Sequence, residues 1–329
     1  MKFMTPPKDE NTELVPSLKD RHLLPTVFQF TGEAERQVLE FFAAHLRNRN
    51  TRKAYAQAVA DFGAWCAQRR ISSLTQVRPM HVSAFVEELT TKIAPPSVKQ
   101  KLTALRMLFD WLVVHQVLPN NPADAVRGPK YVVKKGKTSV LSVEETRELL
   151  DHIDTASVVG LRDRALIALL VYTFARVGAA IAMRVGDVYV QGKRTWVRLH
   201  EKGGKRHEMP AHHNLEAYLD AYITAAGLAT DPKGPLFRST VGRSGELTDR
   251  PLHQPDVYRM IGRRAAAADI RTRIGCHTFR ATGITEYLRN GGKLEIAQAM
   301  ANHESARTTG LYDRRQDEIS LDEIERILI

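Results

Sequence analysis

The chain has 329 residues, of which 43% are hydrophobic and 26% charged, and it carries a net charge of +11 with a pI near 9.7. That length accommodates two domains, each with its own core, and the basic balance points to a polyanionic partner, nucleic acid first. Two cysteines, Cys66 and Cys276, exclude a disulfide framework and suit a reducing cytoplasm. Met1 to Pro7 lacks an apolar signal core, and the longest uncharged apolar run, 165–175, is too short to span a bilayer.

Residues 1–30 hold Pro, Lys and Glu without periodicity and read as a mobile arm. Residues 31–118 read as all-helical. A helix over 50–70, with Asn50-Thr51 as its cap, places Tyr55, Ala58, Phe62 and Trp65 on one face. A second starts near Pro79 with Val82, Phe85, Val86 and Leu89 as its stripe. A third opens at Pro95-Pro96-Ser97 and turns Val98, Leu102, Leu105, Leu108 and Leu112 inward. Basic residues off these stripes suit either a DNA groove or a solvated charged face. Residues 119–138 combine prolines, glycines and a lysine cluster that includes Lys134 and Lys135, and they read as a basic interdomain linker.

The second domain spans 139–329 and opens on a capping box, Ser142-Val-Glu-Glu145. Residues 161–175 predict an apolar, buried helix that Arg176 closes; a charge there requires a partner or a substrate. Residues 187–209 switch to strand character around turns at 191–193 and 202–204, which predicts a small antiparallel sheet of three short strands. Helices follow over 212–226 and 255–268, with a loop-rich stretch at 230–254 between them. After Tyr312 come six acids and three arginines, leaving net +14 on the rest of the chain, and the chain ends on an acidic amphipathic helix, 316–329.

The stretch that carries chemistry is His277-Thr-Phe-Arg280, followed 23 positions later by His303 and 9 after that by Tyr312. Residues three apart on a helix share a face. A guanidinium, two imidazoles and a phenol, with no carboxylate, serine or cysteine among them, suit an anionic substrate and an oxygen nucleophile. Displacement at phosphorus builds negative charge on the nonbridging oxygens, which two fork-shaped guanidiniums, Arg176 and Arg280, can hold. Tyr312 supplies the nucleophile, His277 is the candidate base, His303 a hydrogen-bond donor to phosphate, and Lys202 at its turn the candidate acid for the leaving oxygen. Singly, each residue reads as ordinary packing or surface. Together, in this order, they resemble the tyrosine site-specific recombinases (phage integrase family).

That resemblance covers the C-terminal half strongly and the N-terminal part loosely. It implies a mainly α fold with a small antiparallel β-sheet: a SAM-like helical core-binding bundle followed by a mixed α/β catalytic domain. It implies cleavage and rejoining of double-stranded DNA through a 3′-phosphotyrosine, without metal or ATP, by four protomers on two sites. It also makes Arg52, Lys53, Lys99, Lys101, Arg106, Lys134 and Lys135 candidate DNA contacts. Two positions depart from the family pattern: the acid three residues after the first Arg is Ala179, and the Gly-His before the tyrosine is Asn302-His303. Lys205 competes with Lys202. The Ala179 departure keeps a second class open, a DNA-binding architectural protein with an impaired site, and a nicking and resealing topoisomerase is a third. His207-Glu208 with His212 is one residue too long for a zinc-protease motif and Pro210 interrupts the helix it needs, so His200, His207, His212 and His213 read as hairpin-surface histidines.

Overall fold

Apolar residues at helical spacing build the first half of the molecule. The computed structural model describes residues 33–132, 136–201, 206–242 and 244–313, and by its internal contacts the chain divides after Val132. The arm at 1–30, Lys134, Lys135, Lys202, Lys205 and the helix expected at 316–329 lie outside the described residues.

In the first unit, α1 (Glu33–Glu40) runs into a π-turn, and α2 (Arg49–Gln68), α3 (Pro79–Lys92) and α4 (Pro95–Val114) follow. The α2 cap is Asn48, not Asn50-Thr51: its side chain accepts from the amides of both those residues, at 3.0 and 3.1 Å. Prolines occupy the first turns of α3 and α4, where a missing N–H costs nothing. The predicted stripes converge. Phe62 packs edge-on to Phe85 and Phe109, with centroids 5.2 and 6.1 Å away, and Val82, Val98, Leu102, Leu105, Leu108 and Leu112 are buried around them. The expected linker begins later than predicted. Leu118, Ala123 and Val126 join this core, because Arg106 donates to the carbonyls of Ala123 (3.2 Å) and Val126 and so ties the stretch to α4.

In the second unit, Ser142 and Glu145 form the expected capping box for α5 (Val143–Asp151). The apolar helix α6 (Val158–Tyr172) is capped by Ser157 and buried on all sides, packed between α8 (His213–Ala225) and α10 (Cys276–Arg289). It ends four residues before Arg176. Phe174, at φ 54°, turns the chain, and Arg176 sits at the N-cap of the short α7 (Val177–Ile181). The predicted sheet is present with order β1-β2-β3, all antiparallel: β1 (Val188–Gln191), β2 (Arg194–His200) and β3 (Arg206–Pro210). The loop-rich stretch holds a second, two-stranded sheet, β4 (Arg238–Thr240) and β5 (Leu247–Pro251), which is irregular between Arg238 and Thr240. Then come α9 (Gln254–Ala267), α10, α11 (Leu294–Met300) and α12 (Ala306–Gly310). No described helix is long and apolar enough to cross a membrane.

A buried ion triad clamps α6. Asp163 accepts from Arg162 (3.0 and 2.7 Å) and from Arg264 of α9 (3.0 and 2.8 Å), while Arg162 also donates to the Arg238 carbonyl at 2.7 Å. The four histidines stay at the surface, His212 and His213 exposed and His200 and His207 half-buried, and three of them make specific local contacts. His200 pairs with Asp187 at 2.9 Å. His212 caps α8 and stacks on Tyr172 with centroids 4.2 Å apart, while His213 packs on His212 at 4.0 Å. Both His200 and His207 occupy paired positions of the β2–β3 ladder.

Candidate active site

Five of the six residues expected to carry chemistry are described, and they come from α7, α10 and the segments flanking α12. Arg280 lies on the buried face of α10 and is only 1% exposed. Its two Nη groups donate to the carbonyls of Phe174 and Ala301. The Phe174 carbonyl is held there by the left-handed backbone of a bulky residue, a conformation that survives only where surrounding contacts fix it. Those contacts include Gly283, where a Cβ would stand 2.2 Å from the Val171 carbonyl oxygen and 2.7 Å from the Phe174 ring. Burial and the neighbouring Arg176 push the Arg280 pKa down to about 10, partly opposed by Tyr312 and Glu201. The group is still a cation at neutral pH, but one whose lost hydration is not made good by a carboxylate of its own.

His303 follows Asn302, whose φ is 46°. Asn is one of the few residues besides Gly that enter this region readily, so Asn302 can make the turn into His303. His303 Nδ1 lies 2.9 Å from the Thr309 hydroxyl, and the His303 ring stacks on that of Tyr312 with centroids 5.6 Å apart and planes 11° from parallel. Thr285 of α10 donates to the Tyr312 carbonyl at 2.8 Å, and the Tyr312 ring also packs against a small core formed by Phe174, Ile284, Leu288, Ala297 and Ala301. Burial, then Arg280 and Arg176, lower the His303 pKa to about 4. His277, in the first turn of α10, keeps an exposed edge. Partial burial of its ring and the same two guanidiniums hold it below the usual histidine range. Both imidazoles are therefore neutral at physiological pH, and one can accept a proton.

Arg176 is the accessible cation of the set, with its side chain 39% exposed. Its Nη1 donates to Glu201 Oε2 at 2.7 Å. Both imidazoles thus lie within electrostatic reach of the two guanidiniums, and Arg280 within reach of Tyr312 and of one buried carboxylate, Glu201. Such a site favours a doubly coordinated anion and a nucleophile that must lose a proton.

The sequence comparisons agree with this chemistry. The phage integrase family model matches residues 139–318, and that of the phage integrase N-terminal SAM-like domain matches 39–116. The chain belongs to the phage integrase family. It is a site-specific tyrosine recombinase, an enzyme that cleaves and rejoins DNA. It is 28% identical over 284 residues to tyrosine recombinase XerC of Myxococcus xanthus, covering 84% of this chain and 92% of that one. It is 26% identical over 267 residues to tyrosine recombinase XerD of Staphylococcus haemolyticus, covering 80% and 87%. Among solved structures, XerH bound to a palindromic difH substrate in a post-cleavage complex aligns with a TM-score of 0.67 at 18% identity, over 93% of this chain and 90% of that one. The lambda integrase (75–356) dimer bound to a COC′ core site aligns with a TM-score of 0.65 at 18% identity, over 87% and 96%. At those identities the structures show the shared fold.

The recombinase's expected DNA contacts separate into two groups. Arg52 donates twice to the Leu46 carbonyl (3.1 and 2.8 Å), Lys101 pairs with Asp61, and Arg106 holds the Ala123 and Val126 carbonyls. These three have work inside the bundle. Lys53 and Lys99 are exposed, although Lys99 also reaches the Tyr131 carbonyl at 3.4 Å. Sequence reading passed over two features of the catalytic unit. One is Glu201. The other is a groove of about 700 Å³ beside His277, lined by Tyr258, Arg259 and Arg273 among others. Its only sequence signal is a scatter of arginines over 259–273.

Proposed function

We propose that this recombinase cuts double-stranded DNA by attack of the Tyr312 hydroxyl on phosphorus. The P–O5′ bond breaks, leaving a 3′-phosphotyrosine and a free 5′-hydroxyl. One phosphodiester replaces another, so the hydroxyl of a different strand reseals the bond with no net hydrolysis, and the steps call for neither metal nor ATP. Arg176 and Arg280 hold the nonbridging oxygens, where charge develops. His277, neutral and partly exposed, takes the phenol proton. His303 donates to a phosphate oxygen from the nitrogen that Thr309 does not engage. Lys202 protonates the departing O5′. The single observation that carries this reading is the stacking of Tyr312 on His303 within electrostatic reach of a buried, carboxylate-poor Arg280.

Lys53, Lys99, Lys134, Lys135 and the arginines of the groove beside His277 contact the phosphate backbone. The reaction takes place in the cytoplasm, on a synapse of four protomers. A lambda integrase tetramer bound to a Holliday junction shares the fold, with a TM-score of 0.64, and supports this reading. The acidic segment after Tyr312 docks on a neighbouring protomer. Truncation after Asp313 is expected to leave cleavage of a single site intact and to abolish exchange between two; unchanged exchange removes this role.

The test of the chemistry is a nicked suicide duplex, resolved on a denaturing gel. The wild-type chain forms a covalent adduct in EDTA, and Tyr312→Phe forms none while still shifting the duplex on a native gel. An adduct of equal yield in Tyr312→Phe rejects the assignment. Relaxation of supercoils without exchange between two sites would instead identify a topoisomerase.

A further inference from the structure

Arg176 needs an orienting carboxylate, and its own helix does not provide one. Ala179, three residues on in α7, is a buried methyl. The partner comes from the sheet. Glu201 directly follows β2, its side chain is 4% exposed against 39% for Arg176, and its Oε2 accepts from Nη1 at 2.7 Å.

An ion pair with both members in water is worth little. This one has its anion fixed in the protein and its cation facing outward, which suits positioning rather than neutralisation. An Arg fork has five donors, and the bond to Glu201 engages one edge, leaving the remaining N–H groups for an incoming phosphate.

We propose that Glu201 is the positioning residue for Arg176, supplying from the end of β2 the carboxylate that Ala179 cannot, and aiming the open side of the guanidinium at the scissile phosphate. Glu201 also opposes the lowering of the Arg280 pKa. One carboxylate thus lets two guanidiniums stand close together before the phosphate arrives. The bond has a second consequence. It fixes the chain at the position just before Lys202.

This inference rests on Arg176 acting on the phosphate, and a double-mutant cycle separates the two claims. Single-turnover cleavage of the suicide duplex is measured for Arg176→Ala, Glu201→Ala, Glu201→Gln and the two double variants, alongside DNA affinity and thermal midpoint. Misaiming a catalytic group typically costs about 10²-fold. Glu201→Ala is expected to lose about that much in cleavage rate with DNA affinity essentially unchanged, and Glu201→Gln, which keeps an oxygen for the guanidinium but not the charge, to lose less. In the Arg176→Ala background either Glu201 change should cost nothing further. Additive losses, or full cleavage in Glu201→Ala, overturn the proposal. If Glu201→Ala does not fold, the cycle with the isosteric Glu201→Gln decides in the same way. Normal cleavage by Arg176→Ala would instead remove the role given to Arg176 itself.

Discussion

The catalytic unit contains two clusters with the same inventory, two arginines and one carboxylate, bonded in opposite ways. In the clamp on α6, Asp163 receives four N–H bonds, two from Arg162 and two from Arg264. In the active site, Glu201 receives one bond from Arg176, while Arg280 is held by two backbone carbonyls. The first cluster consumes its donors on itself and can only hold helices together. Among the described residues the second leaves guanidinium donors unspent and positive charge in excess; burial first, and that charge after it, lowers the pKa values of His277, Arg280 and His303. Buried charge that is internally satisfied is architecture, and buried charge left short of partners is waiting for a substrate.

The comparison breaks most sharply through paired substitutions. Arg176→Ala should lower single-turnover cleavage by about 10²- to 10³-fold at the smaller cost in unfolding free energy: its own guanidinium is partly in water, although the buried Glu201 carboxylate loses its partner. Asp163→Asn should do the reverse. It leaves the buried Arg162 and the half-buried Arg264 without their shared anion, costs about 3–5 kcal/mol in chemical denaturation, and leaves the folded fraction able to cleave. Loss of cleavage without loss of stability in Asp163→Asn would erase the distinction.

Acid sharpens it next. His303 titrates at about 4 in the folded chain against about 6.5 unfolded. The unfolded state therefore binds the extra proton first as pH falls, so stability is lost between about 6.5 and 4, by up to on the order of 3 kcal/mol. Denaturation midpoints across that range should fall less steeply in His303→Asn. A bound duplex should raise both histidine pKa values, because phosphate favours the cationic ring. A smaller effect falls on the turn that sets His303. Asn302→Gly should be neutral within about 1 kcal/mol, and Asn302→Val should cost about 1–3 kcal/mol, because a β-branched residue resists positive φ. Equal stability of the two variants would mean the turn is unstrained.

Much of this was legible beforehand, for identifiable reasons. Stripes such as Val98, Leu102 and Leu105 repeat at helical spacing, so the bundle could be read locally. The constellation from Arg176 to Tyr312 is ordered along the chain with residue types that suit a single reaction, so it could be picked out as a candidate site and the family named from it. What could not be read depends on contacts distant in sequence. Lys101 and Arg106 look like surface cations until their partners, Asp61 and the Ala123 carbonyl, fold back onto them. The β4–β5 pair is short and irregular, too brief for a period of two to stand out from its turns. Glu201 is 25 positions from Arg176 and carries no local pattern at all.

The most direct measurement is to trap the covalent protein–DNA complex, digest both components and map the nucleotide-bearing peptide by mass spectrometry. A 3′-linked nucleotide on Tyr312 is the predicted result. The same label on another tyrosine, such as the exposed Tyr258 or the neighbouring Tyr287, would contradict the assignment of the nucleophile and of the charge gathered around it.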